Sequence, residues 1–307
     1  MSVNAYDRIT GQIIALLEKG TVPWHRTWKA STGWPRNLIT HRPYRGINVL
    51  LLHCMSYESP NWLTFRQATM LGGTVRKGEK ACPVVFWKRL TVGEKDDSEK
   101  RQIPLLRYYS VFNLAQCDGL KNVAAPNGAE LAPSKPEDIV TNMPQRPAIK
   151  DGFTRAFYSL REDYVGMPAR ERFSRNEEYH ATLFHELAHS TGHESRLNRS
   201  TLTEQAGFGS DPYCKEELIA EIGAAFLCGH AEIAERTIDN SAAYVAEWLK
   251  RMKDDTKLIV HAAAQAQRAA DFVLGRKWEE REAAHDRMGA SWPSTGSGEH
   301  DEILTPS

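Results

Sequence analysis

No stretch of the 307-residue chain approaches the 18 or so consecutive apolar residues of a membrane-spanning helix, so no membrane partner is expected. Met1 to Asp7 carry no basic region followed by an apolar run, which argues against a secretory signal. Cysteine is sparse. The five present (Cys54, Cys82, Cys117, Cys214, Cys228) are odd in number and form no C-x-x-C pair, which excludes a disulfide scaffold and a cysteine zinc ribbon. That usage fits a reducing cytoplasm. No internal repeat is present. The stretch Gly73 to Lys80 echoes a nucleotide P-loop but lacks Lys-Ser/Thr after its second glycine, so ATP binding there is rejected. A zinc deaminase is rejected too, because the needed Pro-Cys-x-x-Cys is missing.

What remains is ordinary globular composition, 41% hydrophobic and 25% charged, in a chain long enough for two domains. The net charge of +0 hides an asymmetry. Residues 1–120 hold 17 Lys/Arg against 9 Asp/Glu, and the remainder hold 22 against 30. Five of the eight tryptophans (Trp24, Trp28, Trp34, Trp62, Trp87) lie in the basic part. A basic, aromatic-rich half joined to an acidic half suggests two different jobs.

The patterning predicts an α+β fold. Ile9, Ile13, Ile14, Leu16 and Leu17 mark a first amphipathic helix stopped by Gly20. Gly46–Leu52 reads as a buried helix and Thr64–Leu71 as another. Pro83–Lys88 and Leu105–Phe112 read as a β-hairpin around a charged loop, Gly93–Arg101. Residues 121–150 lack periodicity and read as a linker, and 288–307, rich in Gly, Ser, Pro and Thr, as a disordered tail. Between them, 151–287 is expected to be mainly helical. The capping pattern Ser174-x-x-Glu177 starts one helix that Gly192 ends. Asp211-Pro212 starts another, stopped by Gly229, and two more are expected over Ala242–Lys253 and Thr256–Leu274.

Inside the helix begun at Ser174 stands His185-Glu186-Leu187-Ala188-His189. Positions i and i+4 share a helix face, so both imidazoles can reach one ion. Glu186, offset by about a hundred degrees, is placed to act as general base on a water that the ion activates. A third ligand is needed. The longer metzincin pattern would put a histidine at 195, which is Ser195, and His193 falls two residues early, suited to a supporting or substrate-facing role. Glu217 and Glu221, four apart on the next helix, share a face, with Ile219, Ile222 and Phe226 opposite as core. One would be the ligand and the other would orient a histidine. Glu217 is taken as the ligand, since in glutamate-type zincins the ligand precedes its acidic partner by four; the choice between Glu217 and Glu221 stays open. Zinc is the expected ion and manganese the alternative.

The stretch Phe184 to His193, followed by Glu216 to Phe226, resembles the zincin-like domain of ArdC-type antirestriction proteins. Pro23-Trp24, Tyr44-Arg45-Gly46-Ile47-Asn48, Trp62-Leu63-Thr64-Phe65 and Val75-Arg76-Lys77-Gly78-Glu79 resemble the single-stranded-DNA-binding domain that those proteins share with TraC-like plasmid primases. The resemblance implies a plasmid-encoded protein that protects incoming DNA from host restriction during conjugation, with a DNA-binding domain over 1–120 and a zincin-like metallopeptidase domain over 151–287. The residues themselves offer phosphate-neutralising cations and stacking rings for single strands: Trp24, Arg26, Trp28 and Lys29; Arg42, Tyr44 and Arg45; and Arg76, Lys77 and Lys80 around a glycine turn. Two functions compete. One is a DNA-associated metallopeptidase acting on a protein substrate; the other is a strand-coating protein whose metal only ties helices together.

Overall fold

The computed structural model describes residues 4–25, 33–92, 101–120, 134–203, 211–233 and 242–276. Helix α1 (Ala5–Glu18) forms where expected: Tyr6, Ile9, Ile13 and Leu17 make its buried stripe, and the Asn4 side chain caps it by accepting from the Asp7 amide at 3.1 Å. The stripe does not face its own half alone. It packs on α8 (Ala242–Asp254) and α9 (Leu258–Val273), near the other end of the chain. Thr10 Oγ1 donates to the Thr256 carbonyl at 2.5 Å, and Tyr6 stacks on His261.

The N-terminal half is built on a four-stranded mixed sheet, ordered β1 (Arg36–Asn37), β2 (Asn61–Thr64), β5 (Arg101–Asn113), β4 (Cys82–Val92). The β4–β5 hairpin is longer than predicted, because Leu90, Thr91, Val92 and Ile103 extend the strand-forming composition past the expected ends. Helix α2 (Ile47–Cys54) lies on β4, locked by Asn48, whose side chain both donates to the Val85 carbonyl and accepts from its amide at 2.7 Å. Helix α3 (Phe65–Met70) opens with a complete capping box between Thr64 and Gln67. A small ladder of β3 (Thr74–Val75) and β6 (Cys117–Asp118) closes this half.

The linker reading over 121–150 is corrected where the chain is described. Pro136 at the first helical position, with Glu137 and Asp138 behind it, starts α4 (Pro136–Asn142), which buries Ile139 and Val140. Ala148–Asp151 is β7, paired in parallel with β9 (Tyr164–Met167), which pairs antiparallel with β8 (Phe157–Ser159). These segments are too short for their periodicity to register in the sequence. The expected tail over 288–307 lies outside the described residues.

The C-terminal helices follow the predicted order with shifted ends: α5 (Asn176–Ser190), the short α6 (Ser200–Thr203), α7 (Asp211–Ala231), then α8 and α9. The α5 capping box does not form. Ser174 precedes the cap residue Arg175, which makes no side-chain cap bond. Gly229 does not stop α7, which runs on to Ala231. Helix α7 packs between α5 and α9, with Gly223 at the contact, where an added Cβ would lie 3.2 Å from Ala188 Cβ. One continuous apolar cluster runs from Ile9 and Trp24 through Val84 and Leu106 to Phe184, Phe226 and Trp248, so both halves share a core.

Candidate metal centre

Two helices present the site. Helix α5 is buried along most of its length, with Leu183, Phe184 and Leu187 in the core, and it turns His185 and His189 to one side. Its buried C-terminal end needs partners for its last carbonyls. Ser190 and Thr191 hydroxyls donate to Leu187 and Ala188 carbonyls at 2.7 Å, Arg196 Nε to the Ser190 carbonyl at 2.7 Å, and Arg199 Nη2 to the Ala188 carbonyl at 2.9 Å. Gly192 makes this fit, since a Cβ there would meet Arg199 Nη2 at 2.9 Å. Close approach, not a left-handed stop, is what that glycine serves.

Helix α7 brings three carboxylates. His185 Nε2 and His189 Nε2 stand 3.1 Å apart, and each lies 3.6 Å from a carboxylate oxygen of Glu217. His185 Nδ1 faces Glu221 Oε1 at 3.6 Å, and His189 Nδ1 faces Glu216 Oε1 at 3.3 Å. Glu216 is within hydrogen-bond reach of His189 Nδ1, whereas the Glu221 carboxylate faces His185 Nδ1 without a hydrogen bond, and the two Nε2 atoms face each other. Two imidazole nitrogens this close either share a proton or flank a cation. Ligands at zinc distances place neighbouring tetrahedral donors about 3.3 Å apart, near the 3.1 Å between the two Nε2 atoms and the 3.6 Å from each of them to its own Glu217 oxygen, Oε2 for His185 and Oε1 for His189. Among the described residues, His185, His189 and Glu217 are the group whose donor atoms lie together, within 4.8 Å. The donor set fits a divalent ion and leaves further coordination positions open.

The electrostatics agree with the geometry. Burial would push the His185 imidazolium down, but Glu217, Glu221 and Glu186 outweigh it and raise the pKa to about 9. Burial would raise the Glu217 carboxyl, yet His185, His189 and the Tyr213 hydroxyl hold it below its ordinary value. Glu216 is more deeply buried, 4% exposed against 19%, and although desolvation would raise it, His189 and Arg199 pull it down to about 2. It accepts from Arg199 Nε at 3.1 Å, from Arg199 Nη2 and from Thr201 Oγ1 at 2.6 Å. Glu186 is buried beside the triangle.

A carboxylate faces Nδ1 of each histidine, Glu221 at 3.6 Å from His185 and Glu216 at 3.3 Å from His189. Sequence reasoning missed Glu216 and Arg199, and no periodic signal would have singled them out. His193 lies outside the triangle, its Nδ1 engaged by the Ser195 hydroxyl at 2.8 Å and amide at 3.2 Å.

The nucleic-acid candidates divide. Trp24 is fully buried and meets Trp248 edge-on at 5.5 Å, and Tyr44 is buried as well, its hydroxyl pKa raised to about 12 by desolvation. Their rings are core, a correction forced by the shared interior of the two halves. Arg45 forms an ion pair with Asp271 on α9. Arg42, Arg76, Lys77 and Lys80 are exposed, with Arg76 bonded to Glu79 at 2.6 Å. Arg26, Trp28 and Lys29 lie outside the described residues. Among the described residues, no helix is long and apolar enough to cross a membrane.

Residues 3–112 match the family model for the N-terminal domain of anti-restriction factor ArdC, and residues 137–265 match that of a zincin-like metallopeptidase. The chain is 30% identical to a DNA primase TraC of Escherichia coli over 98% of its own length and 30% of the primase, so it spans under a third of that relative. It is 34% identical to the uncharacterized protein y4eC of Sinorhizobium fredii (strain NBRC 101917 / NGR234), over 88% of this chain and 91% of that one. Among solved structures, the metal-free antirestriction protein ArdC of plasmid R388 superposes with a TM-score of 0.73 at 38% identity, covering 88% of this chain and 97% of that one. Its Mn(II)-bound form superposes with a TM-score of 0.72 at 38% identity, over 89% and 98% of the two chains. The fold, both matched halves and this near-complete coverage place the chain in the ArdC antirestriction family, with a zincin-like metallopeptidase domain in its C-terminal half.

Proposed function

We propose that this protein binds single-stranded DNA through its basic N-terminal half and carries a metal-dependent peptidase site, protecting incoming DNA from host restriction during conjugation. The observation that carries the enzymatic reading is the grouping of His185 Nε2, His189 Nε2 and the Glu217 carboxylate, one oxygen towards each nitrogen, with a further carboxylate facing Nδ1 of each imidazole. These three residues would hold Zn2+, with Mn2+ the alternative that the R388 protein's Mn(II)-bound structure supports. When bound, the ion supplies Lewis acidity, polarising a carbonyl and easing the deprotonation of water. Glu186, buried next to His185 but turned off the ligand face, takes the proton from the attacking water and passes it to the leaving amine. Glu221 and Glu216 keep the imidazoles aimed. The apolar packing of α5 and α7 limits bulk water around the charges. The primase and antirestriction relatives support the DNA reading. The expected location is the cytoplasm, where the restriction machinery and a protein substrate associated with it or with DNA would meet this chain.

The test compares wild type with Glu186→Ala for bound metal and for protection of incoming DNA from restriction. Retained metal with lost protection is the expected result. Retained metal with intact protection would make the protein a strand-coating module whose metal is structural.

A further inference from the structure

On the β4–β5 hairpin, Phe86 pairs directly with Arg107 and Val84 with Tyr109, so Phe86, Arg107 and Tyr109 lie on one face of the sheet. Phe86 is 42% exposed, a large apolar ring at the surface, with Tyr109 edge-on at 5.5 Å and Tyr44 at 6.4 Å. Tyr44 leads into a narrow cleft at the junction of the two halves, where Arg45, Arg276, His230 and Trp34 converge. Its deep part holds about 20 Å³, room for one water or one phosphoryl oxygen.

The cleft carries more positive than negative charge. Arg45 pairs with Asp271, whose other carboxylate oxygen accepts from Gln267 at 3.2 Å. Arg276 Nη1 donates to His230 Nε2 at 3.1 Å. His230 lies flat on Trp34, with ring centres 4.3 Å apart, and burial together with the two guanidiniums holds it neutral, down to about 3. Among the described residues, two guanidiniums therefore converge near one carboxylate, beside an exposed aromatic ring. A chain of phosphates with unpaired bases complements both features: the diester offers oxygens to the two guanidiniums, and a free base supplies the flat face.

We propose that a single DNA strand crosses this face, stacking a base on Phe86 beside Tyr109 and seating a phosphate between the Arg45 and Arg276 guanidiniums. This deepens the single-strand reading above and rests on it. It also fixes a spacing. His230 lies in the last turn of α7 and Glu217 near its start, roughly 20 Å of helix apart, so the strand runs about that far from the metal ligands.

The experiment is fluorescence anisotropy of a labelled oligothymidylate with the full chain, across a salt series. Phe86→Ala should weaken binding by about 10-fold and leave the salt dependence unchanged, as loss of a stack does. Arg276→Gln should weaken it by a similar factor and reduce the salt slope by about 0.7, the loss of one phosphate contact on a single strand. Arg45 is a poor choice, because its removal strands the buried Asp271. Should Arg276→Gln fail to fold by circular dichroism, Phe86→Ala carries the test, with Phe86→Tyr expected to restore the stack and the affinity. If wild type binds and these variants bind as well as it does, the proposal is overturned, and loss confined to an Arg76, Lys77 and Lys80 triple variant would move the strand to the far turn while keeping the single-strand reading. If wild type does not bind at all, that reading fails and the proposal with it.

Discussion

Replacing Glu216 by glutamine removes one charge, and almost no volume, from behind the metal triangle. Glu216 and Arg199 each expose only 4% of the side chain, so their ion pair is out of water. The carboxylate receives Arg199 through two nitrogens, Thr201 Oγ1 and His189 Nδ1, so all its contacts are donors. A glutamine keeps one acceptor oxygen and turns an NH2 group towards another of these donors. The buried Arg199 guanidinium loses the Glu216 charge, a change that costs up to about 3–5 kcal/mol. His189 also loses the acceptor that fixes its Nδ1 proton, which typically lowers metal affinity by about 10- to 100-fold. Urea unfolding of the EDTA-treated variant reads the first effect, and competition with a metal-binding dye at neutral pH reads the second. Zinc affinity should fall even where the variant is fully folded. If Glu216→Gln unfolds within about 0.5 kcal/mol of wild type and binds zinc equally well, Glu216 is not what aims His189, and the reading of a supported metal triangle is wrong.

Gly223→Val should destabilise by about 1–3 kcal/mol and loosen the metal site, because the new methyls push against Ala188, which lies between the ligand helices; melting temperature and metal stoichiometry would both register it. His230, held neutral down to about 3, gives a pH signature. Its folded-state pKa lies below the ordinary 6.5, so the unfolded chain binds the proton first: the stabilisation is complete above about pH 6.5 and is lost as pH falls towards 3. At pH 5 that amounts to about 2 kcal/mol, and His230→Gln should show a shallower fall in stability between pH 6.5 and 4.5 by roughly one proton. Equal slopes for the two proteins would contradict the burial of a neutral imidazole there.

The ligand helix was legible because a single local rule suffices: two histidines four apart on a helix share a face wherever that helix packs. The choice between Glu217 and Glu221 was not, since both satisfy the same spacing. What separates them is the offset between α5 and α7, fixed where Gly223 meets Ala188, and that close approach brings Glu217 to both Nε2 atoms and leaves Glu221 at His185 Nδ1. Glu216 went unread for a related reason. Its meaning comes from Arg199, a loop residue with no periodic signature, folded back over the end of α5. Helix α4 and strand β7 hid in a segment whose composition looks like a linker, and the short strands β8 and β9 in a region read as mainly helical.

The basic half taught the opposite lesson. Counting tryptophans and arginines there identified a region rich in stacking and phosphate-binding groups, but composition says nothing about which side chains face outward. Trp24 was drawn inward by Trp248, and Arg45 by Asp271, because α8 and α9 complete the core on which α1 and α2 lie. A domain that completes its core with helices from the far end of the chain cannot have its surface read from its own residues. The same packing explains why the proposed strand path falls at the junction: Arg276 and His230 come from the second half, and Phe86 and Arg107 from the first. If that path is correct, cutting the chain within 121–133 should abolish strand binding along with the shared core. Neither half would then be a working fragment, and anisotropy on the separately expressed halves decides the point, since full affinity in residues 1–120 alone would refute it.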